Sequence, residues 1–323
     1  MNNSEFDVIK KYFSFSSDRD DVVIAAGDDC AAVTVSPGKK LLITTDTLIS
    51  GVHFPEETSP EDIAYKSLMV NLSDLAAMGA TPAWVTLAIT LPNIDEAWLS
   101  AFSLEFSSVL SAFNISLIGG DTTKGALSIT IQAMGLCDEN RMMRRDRAKP
   151  GDKVFVTGFL GDAAVGLKAV VGGLNDEKLS ACVERLNRPE ARASFAEELT
   201  QYVRCAIDLS DGLAADLGHV LDASSCGARI QLSDVPISLA ARYYFIRYNI
   251  SVTDWSMVIA QGDDYELCFT ASTDDESAIK TLAEKHRLKL SCIGVVTQET
   301  KLEFIAADNE IMKFPDTGFK HFS

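Results

Sequence analysis

Residues 59–79 read SPEDIAYKSLMVNLSDLAAMG and predict a long helix over 60–78. Ser59 is a favourable N-cap, the proline is tolerated at the first helical position, and the two acids that follow suit the positive end of the helix dipole. Asn71 and Asp74, three residues apart, share a face of this otherwise apolar helix. Asp74 taken alone is most simply a surface acid or a hydrogen-bond partner for a nearby loop.

The segments around this helix alternate between strand and helix patterns. In the first half we predict strands over 31–35, 41–45, 83–91, 115–118 and 127–135, and a second helix over 95–113. Gly119 and Gly120 predict a sharp turn after the fourth of these strands. In the second half we predict strands over 154–157, 205–207, 265–270 and 290–295, the last closing the fold, and helices over 162–171, 190–202, 213–223 and 274–286. We therefore expect an α/β fold of the α+β type.

A chain of 323 residues favours either one large domain or two of moderate size. Residues 148–152, AKPGD, have the composition of a turn and separate a basic run from a new predicted strand. We place a domain boundary there, which divides the chain into 1–148 and 149–323.

The formal net charge of −17 would repel a nucleic-acid backbone and leaves no basic stripe for an anionic membrane surface. No apolar run is long enough to span a membrane, and the first thirteen residues lack the pattern of a secretory signal. The seven cysteines are scattered, odd in number and without a C-x-x-C pair, so we expect reduced thiols in the core. A cytoplasmic protein without nucleic-acid or membrane partners is expected.

Aspartates fall at or beside predicted strand or loop ends, where α/β sheets bind ligands, at Asp28, Asp29, Asp46, Asp121, Asp208 and Asp211. The segment 43–47, ITTDT, places an acid and hydroxyls directly after an apolar strand, and a desolvated acid needs a counter-charge. Basic residues are scarce in these segments. Oxygen ligands suit magnesium, and so many acids would repel one another unless several ions were bound.

Phosphoryl transfer fits such a site, because metal ions on the phosphates allow direct in-line transfer without a covalent protein intermediate. We therefore expect a nucleotide-dependent kinase in which no side chain acts as nucleophile. The sequence contains neither a G-x-x-x-x-G-K-[ST] loop nor a G-x-G-x-x-G motif after a strand. The glycine-rich segment 119–123, GGDTT, could instead approach a phosphate with its amides.

Eight segments, in order along nearly the whole chain, resemble those of thiamine-monophosphate kinases: GDDCA (27–31), TTDT (44–47), GVHF (51–54), NLSDLAAMG (71–79), GGDTT (119–123), KPGD (149–152), IDLSDGL (207–213) and GDDYEL (262–267). The resemblance implies the aminoimidazole-ribotide-synthetase-like fold, in which the N-terminal domains of two chains pair into a shared β-barrel beside a C-terminal α/β domain. It also implies a homodimer. The implied reaction transfers the γ-phosphate of ATP to thiamine monophosphate, with several Mg²⁺ ions, and yields thiamine diphosphate and ADP.

The resemblance also implies roles for individual residues. The implied magnesium ligands are Asp29, Thr44, Thr45, Asp46, Asp74, Asp121, Asp208 and Asp211. The implied ATP contacts are Gly120, Asp121, Arg145 and Ser210, with Arg144 and Arg147 as alternatives to Arg145. The implied acceptor contacts are His53, Asp263 and Phe319. An aromatic ring can stack on thiamine, and an acid can face its cationic thiazolium.

Ordinary alternatives exist for several of these positions. His53 alone is more often a structural or surface histidine, Phe319 a tail anchor, and the arginine run a solvated basic loop. Thr44 stands where serine is frequent in the family, and Asp263 stands where glutamate is frequent, which shortens its reach by one methylene group.

Two other functions remain open. Another enzyme of the same superfamily would share the metal acids but use ATP to activate an amide, carbamoyl or selenide acceptor; the match at His53 and at segment 263–266 argues against it. A non-catalytic nucleotide or thiamine-phosphate sensor would not need every motif acid, and all of them are present here.

Overall fold

We describe residues 5–15, 19–250 and 255–314 of a computed structural model of the protein. The chain divides into two compact units. The N-terminal unit comprises Met1–Leu75 and Ala80–Asn140, and the C-terminal unit comprises Ala76–Gly79 and Arg141–Ser323. The boundary that we place between residues 148 and 149 stays a prediction.

The N-terminal unit is built on one mixed sheet. Its helices are α1 (Glu5–Tyr12), α2 (Pro60–Ala77) and α3 (Glu96–Ala112), and its strands are β1 (Val22–Ile24), β2 (Ala32–Val33), β3 (Lys39–Ile49), β4 (Thr81–Leu91), β5 (Ser116–Lys124) and β6 (Ser128–Asp138). The main sheet has the order β3-β6-β4-β5, and β1 pairs with β2 in a separate ribbon. The β4–β5 pair is parallel, whereas β6 runs antiparallel to both β3 and β4.

The start of α2 follows the sequence prediction. The Ser59 hydroxyl accepts a hydrogen bond from the Asp62 amide at 3.2 Å, and the Ser59 carbonyl accepts from Ile63 at 2.9 Å. Asp95 caps α3 in the same way and accepts from the amides of Ala97 and Trp98. Side-chain caps therefore fix both long helices, as expected for acceptors at N-cap positions.

Two of our strand predictions were wrong in a way that matters for the site. The strand predicted over 41–45 continues to Ile49, and β5 runs straight through Gly119 and Gly120 without turning. Thr47 and Ile49 are β-branched and favour the extended chain. A Cβ on Gly120 would lie 1.8 Å from the Leu87 carbonyl oxygen, so this glycine allows β5 to approach β4 closely.

As a consequence, two of the acids predicted at strand ends lie within strands. Asp46 is in the middle of β3 and Asp121 is in the middle of β5. The prediction was correct for Asp208, which is the last residue of its strand in the C-terminal unit.

The sheet of the N-terminal unit has one covered face and one open face. On β3, Leu42 and Leu48 are buried, whereas Ile43 between them is 57% exposed. The register pairs Thr47 with Thr130, whose hydroxyls are 2.9 Å apart on the open face. Helix α2 lies on the covered face, because its Asp74 accepts a hydrogen bond from Thr44.

The C-terminal unit carries a larger, mostly antiparallel sheet. Its strands are β7 (Lys153–Thr157), β8 (Cys205–Asp208), β9 (Gly227–Gln231), β10 (Leu267–Ala271), β11 (Leu290–Thr297), β12 (Leu302–Ile305) and β13 (Ile311–Met312). Its α-helices are α4 (Asp162–Val171), α5 (Ser180–Asn187), α6 (Ala193–Leu199), α7 (Leu213–Ser224), α8 (Leu239–Arg247), α9 (Ser256–Ile259) and α10 (Glu276–Lys285), and its short 3-10 helices are Arg145–Arg147, Glu177–Leu179 and Leu232–Asp234. The strand order is β13-β12-β9-β11-β7-β10-β8, in which the β12–β9 pair is parallel.

The predicted α/β class of the α+β type is confirmed. The predictions for β7, α4 and α7 agree with the structure to within a residue. We missed β9 and α8, and the strand over 290–295 does not close the fold, because β12 and β13 follow it.

The prediction of core thiols holds for five cysteines and is wrong for Cys30, which is exposed; Cys292 is half-buried. In the residues that the structure describes, every helix is too short or too polar to cross a membrane.

Candidate active site

The strongest cluster of predicted site residues lies where α2 crosses β3. The Thr44 hydroxyl donates to the Asp74 carboxylate, and the Asp46 amide donates to the Asn71 side-chain oxygen at 3.2 Å. Asn71 is fully buried. Its side-chain nitrogen, Nδ2, donates a hydrogen bond to the Ser67 carbonyl at 3.0 Å and fixes the orientation of the side chain. The helix face that Asn71 and Asp74 share therefore faces the segment of β3 that carries Thr44 and Asp46.

The two carboxylates of this cluster affect each other. Burial, and to a smaller extent the negative charge of Asp74, together raise the pKa of Asp46 to about 6. Such a shift means that the ionised pair is unfavourable in the absence of a nearby cation. A divalent ion bound between the carboxylates of Asp46 and Asp74 would lower the pKa of Asp46 again. The pair is therefore suited to binding a cation.

The donors of this cluster fit Mg²⁺ by their chemistry. They are two carboxylates and a hydroxyl, and magnesium commonly takes one or two carboxylates together with waters and substrate phosphates. Across residues 5–15, 19–250 and 255–314, no group of three or more His, Cys, Asp and Glu side chains is arranged to hold a metal ion. The cluster is thus an open pair of acids and not a closed protein cage.

The other predicted residues of the main sheet lie on its opposite face. Asp121 is exposed and pairs in register with Ala88, next to Thr130, whereas Asp46 is in register with Ile131 and Leu87. Side chains alternate along strands, so Asp121 lies on the open face and Asp46 on the covered face. One N-terminal unit therefore does not bring these two predicted ligands together.

Thr45 also lies on the open face, and its hydroxyl accepts a hydrogen bond from Gln132 at 3.4 Å. Asp29 is exposed on a turn, where its amide donates to the Asp28 carboxylate at 2.8 Å. Their roles as metal ligands stay predictions.

His53 lies in the turn that follows β3, and a hydrogen bond fixes the orientation of its ring. Its Nδ1 accepts a hydrogen bond from the Ile49 amide at 2.9 Å. In the neutral ring the hydrogen is therefore on Nε2, which can donate to a ligand.

In the C-terminal unit, the loop between β8 and α7 carries three predicted residues. Asp208 is buried at the end of β8, and Ser210 and Asp211 are half-buried. The amides of Asp211 and Gly212 both donate to one carboxylate oxygen of Asp216, each at 3.0 Å. Asp216 therefore fixes the backbone that presents Asp211.

Burial raises the pKa of Asp216 to about 7, and the charge of Asp211 acts in the same direction. The two amides and the positive charge of Arg145 oppose this shift. Arg145, predicted to contact ATP, is thus close enough to Asp216 for its charge to act on that carboxyl group. Its neighbours differ from it, because Arg144 and Arg147 both form ion pairs with Asp146, at 2.7 and 3.6 Å.

The segment 262–266 contains the predicted acceptor residue Asp263, which is half-buried. Its amide donates to the Ser210 carbonyl at 2.9 Å, so this segment lies against the β8–α7 loop. Asp264 is turned inward, and both of its carboxylate oxygens accept from the Gly161 amide. Phe319 lies outside the described residues.

Sequence reasoning missed two features of this region. Asp216 lies in the first turn of α7, and an acid at that position could have been identified as a partner for the preceding amides. Glu266 is fully buried and is bound by Arg185 and Arg192. These arginines are 81 and 74 residues away in the sequence, and no local pattern marks such a pair.

The fold and these clusters define a class of protein. Residues 27–137 match the family model described as AIR synthase related protein, N-terminal domain, and residues 149–307 match AIR synthase related protein, C-terminal domain. The predicted aminoimidazole-ribotide-synthetase-like fold is thereby confirmed.

Similar proteins narrow this class. The chain is 40% identical over 328 residues to thiamine-monophosphate kinase of Haemophilus influenzae, with 100% of this chain and 99% of that protein covered. The crystal structure of thiamine-monophosphate kinase from Stenotrophomonas maltophilia K279a is 41% identical, with a TM-score of 0.84 and coverage of 91% of this chain and 93% of the other. The structure of AaThiL complexed with AMPPCP and TMP is 28% identical, with a TM-score of 0.78 and coverage of 90% and 89%. The chain belongs to the thiamine-monophosphate kinase family.

We predict that Asp46→Asn stabilises the metal-free protein in a pH-dependent way. A carboxyl whose pKa is raised in the folded state contributes stability at low pH that is lost as pH rises through the folded pKa. Asparagine stays neutral, so the variant should gain about 2 kcal/mol relative to wild type between about pH 4.5 and about pH 7.5. Chemical denaturation with EDTA present measures this gain, with Asp20→Asn, an exposed acid, as the matched control. An equal difference at both pH values would contradict the assignment.

We also predict that Asp216→Ala and Asp216→Asn differ in stability. Asparagine keeps an acceptor oxygen for the two amides, whereas alanine leaves both without their bond. The alanine variant should lose about 2 kcal/mol of unfolding free energy and the asparagine variant less than half of that. Urea denaturation near pH 6 tests this, and equal losses would show that the two hydrogen bonds do not hold the loop.

Proposed function

We propose that this chain catalyses transfer of the γ-phosphate of ATP to the phosphate of thiamine monophosphate, which yields thiamine diphosphate and ADP. The observation that supports this most is identity at the 40% level along the full length of a thiamine-monophosphate kinase. The AaThiL complex adds to it, because AMPPCP is an ATP analogue and TMP denotes thiamine monophosphate.

Mg²⁺ ions are part of this proposal. Thr44, Asp46 and Asp74 would hold magnesium in the N-terminal unit, and Asp208 and Asp211 in the C-terminal unit. Asp29, Thr45 and Asp121 are further proposed ligands. When bound, such ions would offset the negative charge of the transferring phosphate groups. The raised pKa of Asp46 beside Asp74 is the structural observation that favours a bound cation.

The chain's own groups would bind and orient the two substrates. Gly120 would contact ATP through its backbone, and the Arg145 guanidinium can pair with phosphate oxygens. Asp121 and Ser210 complete the proposed ATP contacts. No side chain needs to act as a nucleophile, because the acceptor phosphate attacks directly.

For the acceptor, the proposed contacts have distinct chemistry. Nε2–H of His53 is a hydrogen-bond donor in a fixed orientation, because the Ile49 amide occupies Nδ1. The Asp263 carboxylate can face the cationic thiazolium. Phe319 remains a proposed ring contact.

We further propose that two copies of the chain pair through the open face of the N-terminal sheet into a shared β-barrel. The edge strand β3 is eleven residues long and exposes apolar side chains on this face. Ile43 is 57% exposed and Ile49 is 40% exposed. We also propose a cytoplasmic protein, and the net charge of −17 argues against a nucleic-acid partner.

The direct test of this function is an acceptor assay. The purified chain is incubated with ATP, Mg²⁺ and thiamine monophosphate, and thiamine diphosphate and ADP are quantified, with EDTA and unphosphorylated thiamine as controls. Equal amounts of both products, formed only with Mg²⁺, are expected. ATP binding without product would favour a sensor, and ADP formation with a different acceptor would favour another enzyme of the superfamily.

We predict that Asp46→Asn and Asp121→Asn each reduce kcat/KM by at least about 100-fold, because each would remove a metal ligand worth several kcal/mol in the transition state. Steady-state rates at saturating Mg²⁺ measure this, and Asp20→Asn serves as control. Near-normal rates in both variants would contradict the metal assignment.

We predict that Ile43→Asp converts the dimer to a monomer, because a charge on the open face would be buried without a partner. Light scattering should give twice the chain mass of 35.0 kDa for wild type and the single mass for the variant. The matched control is Leu104→Asp, on α3 and 75% exposed, which should stay dimeric. A monomeric wild type would refute the proposed barrel.

A further inference from the structure

The segment 262–266 has an unfavourable backbone. Asp263 has a φ of 74° and Tyr265 a φ of 50°, and both are in the left-handed region that residues with a Cβ rarely adopt. Two such residues so close together do not persist unless the surroundings impose the conformation. The side chains between and after them, Asp264 and Glu266, are the groups that point inward, since both are buried.

Glu266 is the centre of a buried ionic cluster in the C-terminal unit. Arg192 donates to both of its oxygens, from Nε at 2.8 Å and from Nη2 at 2.5 Å. Thr157 donates to it at 2.6 Å, and Arg185 donates to it as well. A Cβ on Gly158 would lie 1.8 Å from a Glu266 oxygen, so the end of β7 leaves room for this carboxylate.

Asp264 makes a second inward attachment. Its two carboxylate oxygens accept from the Gly161 amide, at 3.1 and 2.9 Å, at the start of α4. Burial raises the pKa of Asp264 well above its usual range, and the amide opposes that rise. We call Thr157, Arg185, Arg192, Asp264 and Glu266 the inner anchor.

The outer side of the segment lies on the β8–α7 loop. The amides of Asp263 and Tyr265 donate to the carbonyls of Ser210 and Leu209, each at 2.9 Å. A Cβ on Gly262 would lie 1.9 Å from the Ser210 carbonyl oxygen, so the backbone of segment 262–266 is in close contact with the backbone of the β8–α7 loop. The β8–α7 loop has its own attachment at Asp216 and does not depend on the inner anchor alone.

Stability alone is a weak explanation for this cluster. Burying a carboxylate with two guanidinium groups costs desolvation that the ion pairs often do not exceed, relative to apolar packing. What ion pairs of fixed geometry do supply is orientation, because the planar guanidinium of arginine binds a carboxylate with two parallel hydrogen bonds.

We propose that Arg185, Arg192, Asp264 and Glu266 are positioning residues that hold Asp263 in its left-handed conformation and thereby set the affinity for the thiamine phosphate acceptor. This proposal rests on the function proposed above, in which Asp263 faces the acceptor. None of these four residues is among the proposed contacts of ATP or of the acceptor. The inner anchor fixes the acceptor segment, while Asp216 fixes the adjacent loop that carries Ser210 and Asp211.

The test uses Arg192→Lys in the full chain, which keeps the positive charge and removes the two-pronged bond to Glu266. The matched control is Arg229→Lys, whose side chain forms an exposed ion pair with Glu303 in the same unit. Steady-state kinetics give KM for each substrate and kcat. Hydrogen exchange is measured at the amides of Asp263 and Tyr265.

In Arg192→Lys we expect KM for thiamine monophosphate to rise about tenfold. This rise corresponds to a variant in which about a tenth of the molecules have segment 262–266 in the conformation that binds the acceptor. KM for ATP should stay within about twofold, because Asp216 still holds the β8–α7 loop. Exchange at the two amides should become faster, and Arg229→Lys should match wild type. Glu266→Gln should change the same quantities in the same direction and by more.

Unchanged acceptor KM and unchanged exchange in folded Arg192→Lys would overturn the proposal. Equal changes in both KM values and kcat, with faster exchange throughout the C-terminal unit, would also overturn it, since that is the behaviour of a structural cluster. If wild type fails to phosphorylate thiamine monophosphate, the proposed function and the acceptor part of this proposal both fail. Exchange at residues 263 and 265 then still decides whether the inner anchor holds the segment.

Discussion

The interaction on which the site depends is the approach of two carboxylates, Asp46 on β3 and Asp74 on α2, at a half-buried place. Thr44 and Asn71 hold the strand and the helix together there. The arrangement raises the pKa of Asp46 to about 6 and so disfavours the ionised pair in the protein alone. A fold that places acids in this way favours a bound cation, and a cation beside phosphates is the basis of phosphoryl transfer.

Other buried acids of the same chain are satisfied in different ways. Glu266 is neutralised by two arginines, and Asp264 and Asp216 accept hydrogen bonds from backbone amides. These three acids hold the backbone of the adjacent loops in place. Asp46 contrasts with them, because burial and the charge of Asp74 raise its pKa, whereas for Asp216 and Asp264 backbone amides and an arginine oppose the rise. The contrast separates acids that position the backbone from acids that are available to a ligand.

Much of the local structure could be predicted from the sequence, because it depends on neighbours in the chain. The Ser59 cap of α2 and the shared face of Asn71 and Asp74 follow from helix geometry. The length of β5 could not be predicted, because its two glycines are ambiguous between a strand and a turn, whereas the β-branched Thr47 and Ile49 do favour the full length of β3. The partners of Glu266 could not be predicted either, since their contacts join distant segments. The family and its fold could be predicted from the eight ordered motifs, because their combined pattern is more specific than any one of them.

The most direct measurement is the stabilisation of the protein by Mg²⁺, followed by thermal unfolding with and without saturating metal at about pH 7.5. A ligand that binds only the folded state raises its unfolding temperature. We expect a rise of at least about 3 °C for wild type and a much smaller one for Asp46→Asn. The same rise in both proteins, or none in wild type, would contradict the claim that Asp46 and Asp74 form a magnesium site.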